Sequence, residues 1–239
     1  MSFCALGAIG IVVYAFLTSI ALDDFMFSAQ FFVLAALSLV VALTYKKAKF
    51  NGAYYINYPM INAGVHAEDS VRNMLMGLPD GYNVISTAIV SHDGEKSEMD
   101  LIVVGPTGVF IVEVKNITGK IVGRESDTNW RQYKTFRKGG GVSNEFYSPV
   151  KQVRTHAYRL KSFLKGNRID VWVQEMVYLW NPNIDASEVS GGKTPIFTDA
   201  DGKKALLSYI LGYAARKPLD AGTINTAASY ITQESIRNI

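Results

Sequence analysis

Met99-Asp100-Leu101-Ile102-Val103-Val104-Gly105-Pro106-Thr107-Gly108-Val109-Phe110-Ile111-Val112-Glu113-Val114-Lys115 is the stretch whose reading decides the fold. Residues 99 to 104 and 109 to 114 are apolar and β-branched on both faces, the pattern of central strands covered from two sides. Between them Gly105-Pro106-Thr107-Gly108 has Pro at the second turn position and Gly at the fourth, which suits a type I turn and a hairpin. Charge enters this buried unit only at its open end, as Asp100, Glu113 and Lys115.

Elements on either side follow from local patterns. Residues 65 to 76 carry apolar side chains at helical spacing, stopped by Pro79-Asp80-Gly81. Residues 82 to 90 read as a strand and 91 to 96 as a polar turn. A helix is expected from Pro149 to Lys165, with Pro in its first turn. Strands are expected at 175 to 180 and 194 to 197, and closing helices at 199 to 213 and 225 to 236. The stretch between Trp130 and Pro149, with Gly139-Gly140-Gly141, reads as loop. Helix, three strands, helix and strand in that order predict an α/β domain with a mixed sheet flanked by helices.

The front of the chain is a different material. No Lys or Arg precedes Lys46, and the only acids there are Asp23 and Asp24. Residues 1 to 22 and 25 to 45 are uncharged, each long enough as a helix to cross roughly 30 Å of hydrocarbon. Two adjacent Asp residues belong at an interface, so the expectation is a hairpin of two transmembrane helices with Asp23-Asp24 at its tip. Lys46, Lys47 and Lys49 follow, and the positive-inside rule puts that end in the cytoplasm, against the inner (cytoplasmic) membrane. A cleaved signal peptide fits less well, since the basic n-region is missing and a second apolar run follows. Tyr- and Asn-rich residues 46 to 61 read as a linker. The single Cys4 excludes a disulfide framework and a cysteine zinc site. The later segment holds all 24 basic residues and all but two of the 21 acids, which permits an anionic partner without requiring one.

Alternation along a strand puts Glu113 and Lys115 on one face, and the hairpin folds Asp100 back to the level of Glu113. Charges beside apolar neighbours cost several kcal/mol each unless they are paired or bind a metal. Hard cations such as magnesium take carboxylate oxygens, lower the pKa of bound water and offset charge on a phosphoryl group. A plain salt bridge between Glu113 and Lys115 is the alternative.

Asp100, then twelve residues, then Glu113-Val114-Lys115, resembles the D…ExK signature of the PD-(D/E)xK nuclease superfamily. The string from Glu98 to Gly119 resembles one branch of it, the NERD (nuclease-related) domain. Gly64-Val65-His66-Ala67-Glu68 is similar to that family's acidic helix motif, Trp130 to its Trp after the third strand, and Pro149-Val150-Lys151-Gln152 to its Pro-x-x-Gln. The resemblance covers residues 62 to 180, with 181 to 239 completing the domain, and implies a restriction-endonuclease-like fold. It further implies Mg2+ or Mn2+ held by Glu68, Asp100 and Glu113, with Lys115 and Gln152 orienting water and phosphate. Leu101 departs from the His often found there, and one acid of a doubled motif is missing before Glu68.

The resulting expectation is a membrane-anchored, metal-dependent nuclease acting on DNA or RNA. The alternative is a catalytically inactive nucleic-acid-binding or protein-interaction module on the same fold. Glu68 also suits a helix's first turns electrostatically, and Gln152 also suits an exposed helix surface. His156 lies four residues from Gln152 on the same helix face, so it is a candidate for the phosphate side. Arg124, Arg131, Lys134, Arg137 and Lys138, interleaved with Trp130, Tyr133 and Phe136, suit a single nucleic-acid strand or a solvated loop.

Overall fold

The computed structural model describes residues 58–136, 139–201, 203–214 and 217–238, with side chains from Gly64 onward. The expected membrane hairpin lies outside the described residues. Among those described, no helix is long and apolar enough to cross a membrane.

Among the described residues, nine strands form two sheets. The first has the order β1 (Asn83–His92), β2 (Glu95–Gly105), β3 (Gly108–Lys115), β7 (Val173–Leu179), β9 (Ile196–Thr198). β1, β2 and β3 run antiparallel, and β3, β7 and β9 run parallel. Helix α1 (Tyr58–Leu75) precedes the sheet, α2 (Pro149–Gly166) crosses over before β7, and α3 (Lys203–Gly212) and α4 (Ala221–Asn238) close the chain. α1 begins at Tyr58, so its first turn lies inside the stretch expected to be linker.

Two cores sandwich the sheet because β2 and β3 are apolar on both sides. Ile102, Val104, Val109 and Ile111 pack with Val153 and Leu160 of α2 and Ile231 of α4. Leu101, Val103, Phe110 and Val112 pack with Val71 and Leu75 of α1 and Leu206 and Ile210 of α3. Each such side chain contributes about 1.5–3 kcal/mol through burial. The expected hairpin is present, closed by the Gly105–Gly108 pair. Tyr82 lies against Gly105 so closely that a Cβ there would stand 2.1 Å from its ring, and its hydroxyl meets Thr107 Oγ1 at 2.8 Å.

The β1–β2 turn is tighter than the polar segment suggested. His92 pairs with Glu95 across Asp93-Gly94, both at positive φ, 52° and 80°. That is the backbone a two-residue primed turn needs, and Asp-Gly supplies it.

The second sheet corrects the loop reading. β4 (Gly119–Arg124), β5 (Asn129–Thr135), β6 (Gly141–Tyr147) and β8 (Ile184–Ser190) assemble in the order β6-β5-β4-β8. Only one of its faces is buried. Ile121 and Trp130 are enclosed there, with Phe146, Ile184 and Val189 packed against them. Every second residue is polar and solvent-facing, so no apolar run marks these strands.

Candidate active site

The charged side chains meet at the C-terminal end of β3. Glu113 has no exposed surface, and its Oε1 lies 2.7 Å from Lys115 Nζ, two residues along on the same face. Its Oε2 lies 3.5 Å from His156 Nδ1 of α2. Neither carboxylate oxygen accepts a well-aligned hydrogen bond, and His156 Nδ1 is likewise without one. α2 is delivered here by Pro149 at its start and by Ser148, whose side chain accepts from Lys151 N.

Asp100 arrives by a distortion. The β1–β2 register pairs Ser86 with Leu101 and Ala88 with Met99, leaving Thr87 and Asp100 unpaired between them. Thr87 has φ +52°, an uncommon conformation for a β-branched residue and a cost of about 1–3 kcal/mol. The β2–β3 ladder stops at Leu101–Val112. Beyond it, Asp100 Oδ2 accepts the Val114 N–H at 2.7 Å. The carboxyl is thereby pinned to the strand that carries Glu113 and Lys115.

Glu68 joins from α1, the helix over the other face. Two residues before it, the His66 ring stacks on Trp180 at 5.9 Å between centroids, and the Trp180 backbone N–H donates to Lys115 O at 2.9 Å. These contacts tie α1 to the strand end that holds the site.

Electrostatics show the carboxylates acting on one another. Burial and then the Asp100 charge push Glu113 up to about 7, against the pull of Lys115. Burial raises Asp100, although the Val114 N–H holds it back. Burial, then Asp100 and Glu98, raise Glu68. Burial and then the Lys115 and Arg159 charges lower His156 to about 4. Three acids share one ammonium, so the cluster favours an added cation or a retained proton.

Oxygen donors of this kind suit a hard divalent ion, and the orphaned Glu113 oxygens are positions such an ion could fill. Among the described residues, however, no three His, Cys, Asp or Glu side chains converge closely enough to hold one. The donor chemistry fits a metal; the convergence is not formed.

The structure therefore brings Asp100, Glu113 and Lys115 together, with Glu68 electrostatically coupled to them. Gln152 is half-buried in the first turns of α2 and makes no hydrogen bond to the cluster. His156, considered for the phosphate side, faces Glu113 instead. Its i+4 relation to Gln152 placed it on this helix face, but nothing local named Glu113 as its neighbour.

The basic stretch also resolves differently. Arg131 pairs with Glu145 at 2.5 Å and Lys120 with Glu188 at 2.5 Å, cross-strand on the second sheet. Trp130 is buried over Gly123, whose Cβ would stand 2.2 Å from the indole. Its Nε1 donates to Arg124 O at 3.1 Å. Arg137 and Lys138 lie outside the described residues.

An uncharacterised protein of Bacillus anthracis is 36% identical over 93 residues, which is 38% of this chain and 43% of that protein. The chain thus matches under half the length of that relative. No solved structure matches the chain. Residues 63–180, the stretch that contains Glu68, Asp100, Glu113, Lys115 and Gln152, match the nuclease-related domain, NERD.

Proposed function

We propose that this domain is a divalent-metal-dependent nuclease that hydrolyses phosphodiester bonds of nucleic acid, DNA in the first instance. The observation that supports this reading best is Glu113, a fully buried carboxylate ion-paired with Lys115 and coupled to Asp100, inside the segment that matches the nuclease-related domain. Mg2+ or Mn2+ held by Glu113 and Asp100, with Glu68 assisting, would supply charge neutralisation at the phosphate and a more acidic water. The chain's own groups do the rest. Lys115, partly exposed, offers its ammonium to the attacking water and the phosphoryl oxygens. Gln152, in the first turns of α2, orients water or phosphate from the side. Asp100 fixes the end of β3 through Val114.

Residues 1–45 supply the second half of the proposal. Their two uncharged runs, with Lys46, Lys47 and Lys49 beyond them, support a two-span anchor in the inner membrane with the domain in the cytoplasm. A reporter fused after Ile239 should be active only on the cytoplasmic side; activity only on the far side contradicts the topology.

One observation favours a rival. The three carboxylates do not converge, and Glu113 is pushed towards its neutral form. A domain that had kept the fold and lost the metal would be a nucleic-acid-binding or protein-interaction module. Cleavage assays on the purified full-length chain with Mg2+, Mn2+ or chelator separate the two. Metal-dependent cutting is expected; binding that is equal in all three conditions, without cutting, supports the rival.

A further inference from the structure

β9 is only three residues long and pairs with Val177, Tyr178 and Leu179, so the first half of β7 has no strand beside it on that edge. A cleft of ≈940 Å³ fills the gap, within the roughly 300–1,000 Å³ of small-molecule sites. Its floor includes Gly108, at the start of β3. Glu113 lies five residues further along that strand, roughly 16 Å away at strand spacing. The cleft is therefore separate from the carboxylate cluster.

The cleft presents an indole and ammonium groups. Trp172 is 57% exposed, a large fraction for so apolar a ring. Lys161 Nζ sits 4.9 Å from the centre of its ring, taking one face. The wall behind it is braced, since Gln174 Oε1 accepts from Tyr213 OH at 3.0 Å and its Nε2 donates to Glu175 O at 2.9 Å. The lining charges divide unevenly. Arg154 is held between Glu125 and Glu175. Lys193 is drawn to Glu125 as well, whereas Lys161 and Lys217, which line the cleft together with Asp170, make no ion pair with a carboxylate among the described residues.

An exposed aromatic face beside unpaired ammoniums matches a ligand that carries both a flat ring and negative charge. We infer that this cleft binds a nucleoside monophosphate unit, its base stacked on Trp172 and its phosphate held by Lys161 and Lys217. Base stacking on an aromatic side chain is worth about 1–3 kcal/mol and tolerates any base. The unit is either a free nucleotide or one residue of a strand. The inference does not depend on cleavage at Glu113.

Calorimetric titration of the purified full-length chain in chelator tests it, with dAMP, deoxyadenosine, inorganic phosphate and the hexanucleotide d(A)6 as probes. Saturable binding of dAMP or d(A)6 is expected, with deoxyadenosine and phosphate each at least tenfold weaker. Comparable affinity for dAMP and d(A)6 assigns a free nucleotide, whereas a clear preference for d(A)6 assigns a strand. Trp172→Ala and Lys161→Ala should each weaken binding at least tenfold. The inference is overturned if neither dAMP nor d(A)6 saturates, if phosphate alone binds as well as dAMP, or if Trp172→Ala has no effect.

Discussion

The two sheets of this domain carry charge in opposite ways. In the first, the charge at the end of β3 is enclosed; Glu113 has no exposed surface and no well-aligned hydrogen bond. In the second they are frequent, exposed and paired across strands, as Arg131 with Glu145 and Lys120 with Glu188. Water already solvates the second set, so those pairs add little to stability and need no function to explain them. A buried carboxylate costs several kcal/mol unless something compensates it. Burial, rather than the number of charges, separates a site from a surface.

Trp130 tests the structural side of this contrast and carries the largest expected effect. It is the main enclosed side chain of the second sheet, so Trp130→Ala should cost about 3–5 kcal/mol in urea denaturation. A loss under 1 kcal/mol would mean that this sheet adds little to the domain.

Lys115→Ala comes next. It should lower cleavage by a factor of about 100 to 1,000 while leaving metal binding and thermal stability largely intact. Unchanged cleavage with a marked loss of stability would reduce Lys115 to a structural partner of Glu113.

A pH experiment sharpens the comparison further. Glu113 is raised to about 7 in the fold from 4.5, so the native state holds its proton more tightly. Its contribution to stability is complete below the unfolded value and is lost as pH rises from about 4.5 through 7. His156, lowered to about 4 from 6.5, contributes in the opposite sense, losing stability as pH falls through that window. In chelator the Glu113 and His156 contributions to the wild-type profile therefore oppose each other between about pH 4.5 and 6.5. Glu113→Gln should gain on it across the same range by about 2–3 kcal/mol. Parallel profiles for the two proteins would show that Glu113 is not electrostatically penalised.

The smallest effect belongs to the exposed pairs. Arg131→Ala should change stability only slightly and become indistinguishable from wild type at high salt. A larger change would mean that the second sheet's charges do more than solvate it.

Legibility follows the same division. β2 and β3 were readable because both faces are apolar, and Glu113 stood out because it interrupts them. The Asp93-Gly94 turn was present in the sequence as a strong hairpin signal, yet the surrounding polar residues masked the pairing of His92 with Glu95. β5, with Arg131, Tyr133 and Thr135 facing water, alternates too weakly to separate from a basic loop. The distortion at Thr87 and Asp100, and the approach of His156 to Glu113, arise only when distant segments pack. No pattern in one segment encodes them. The cleft beside β7 is likewise a product of how short β9 is, which appears only once its partner is known.

Glu113→Gln in the full-length chain, followed for both metal binding and DNA cleavage, tests the central claim most directly. The wild type should bind Mg2+ or Mn2+, gain thermal stability from it, and cut DNA only in its presence. The variant should fold, lose the metal-dependent stabilisation and lose at least a hundredfold in cleavage. A variant that cuts as well as wild type, or a wild type that responds to neither metal, would show that the buried carboxylate is a structural charge and not the centre of a nuclease.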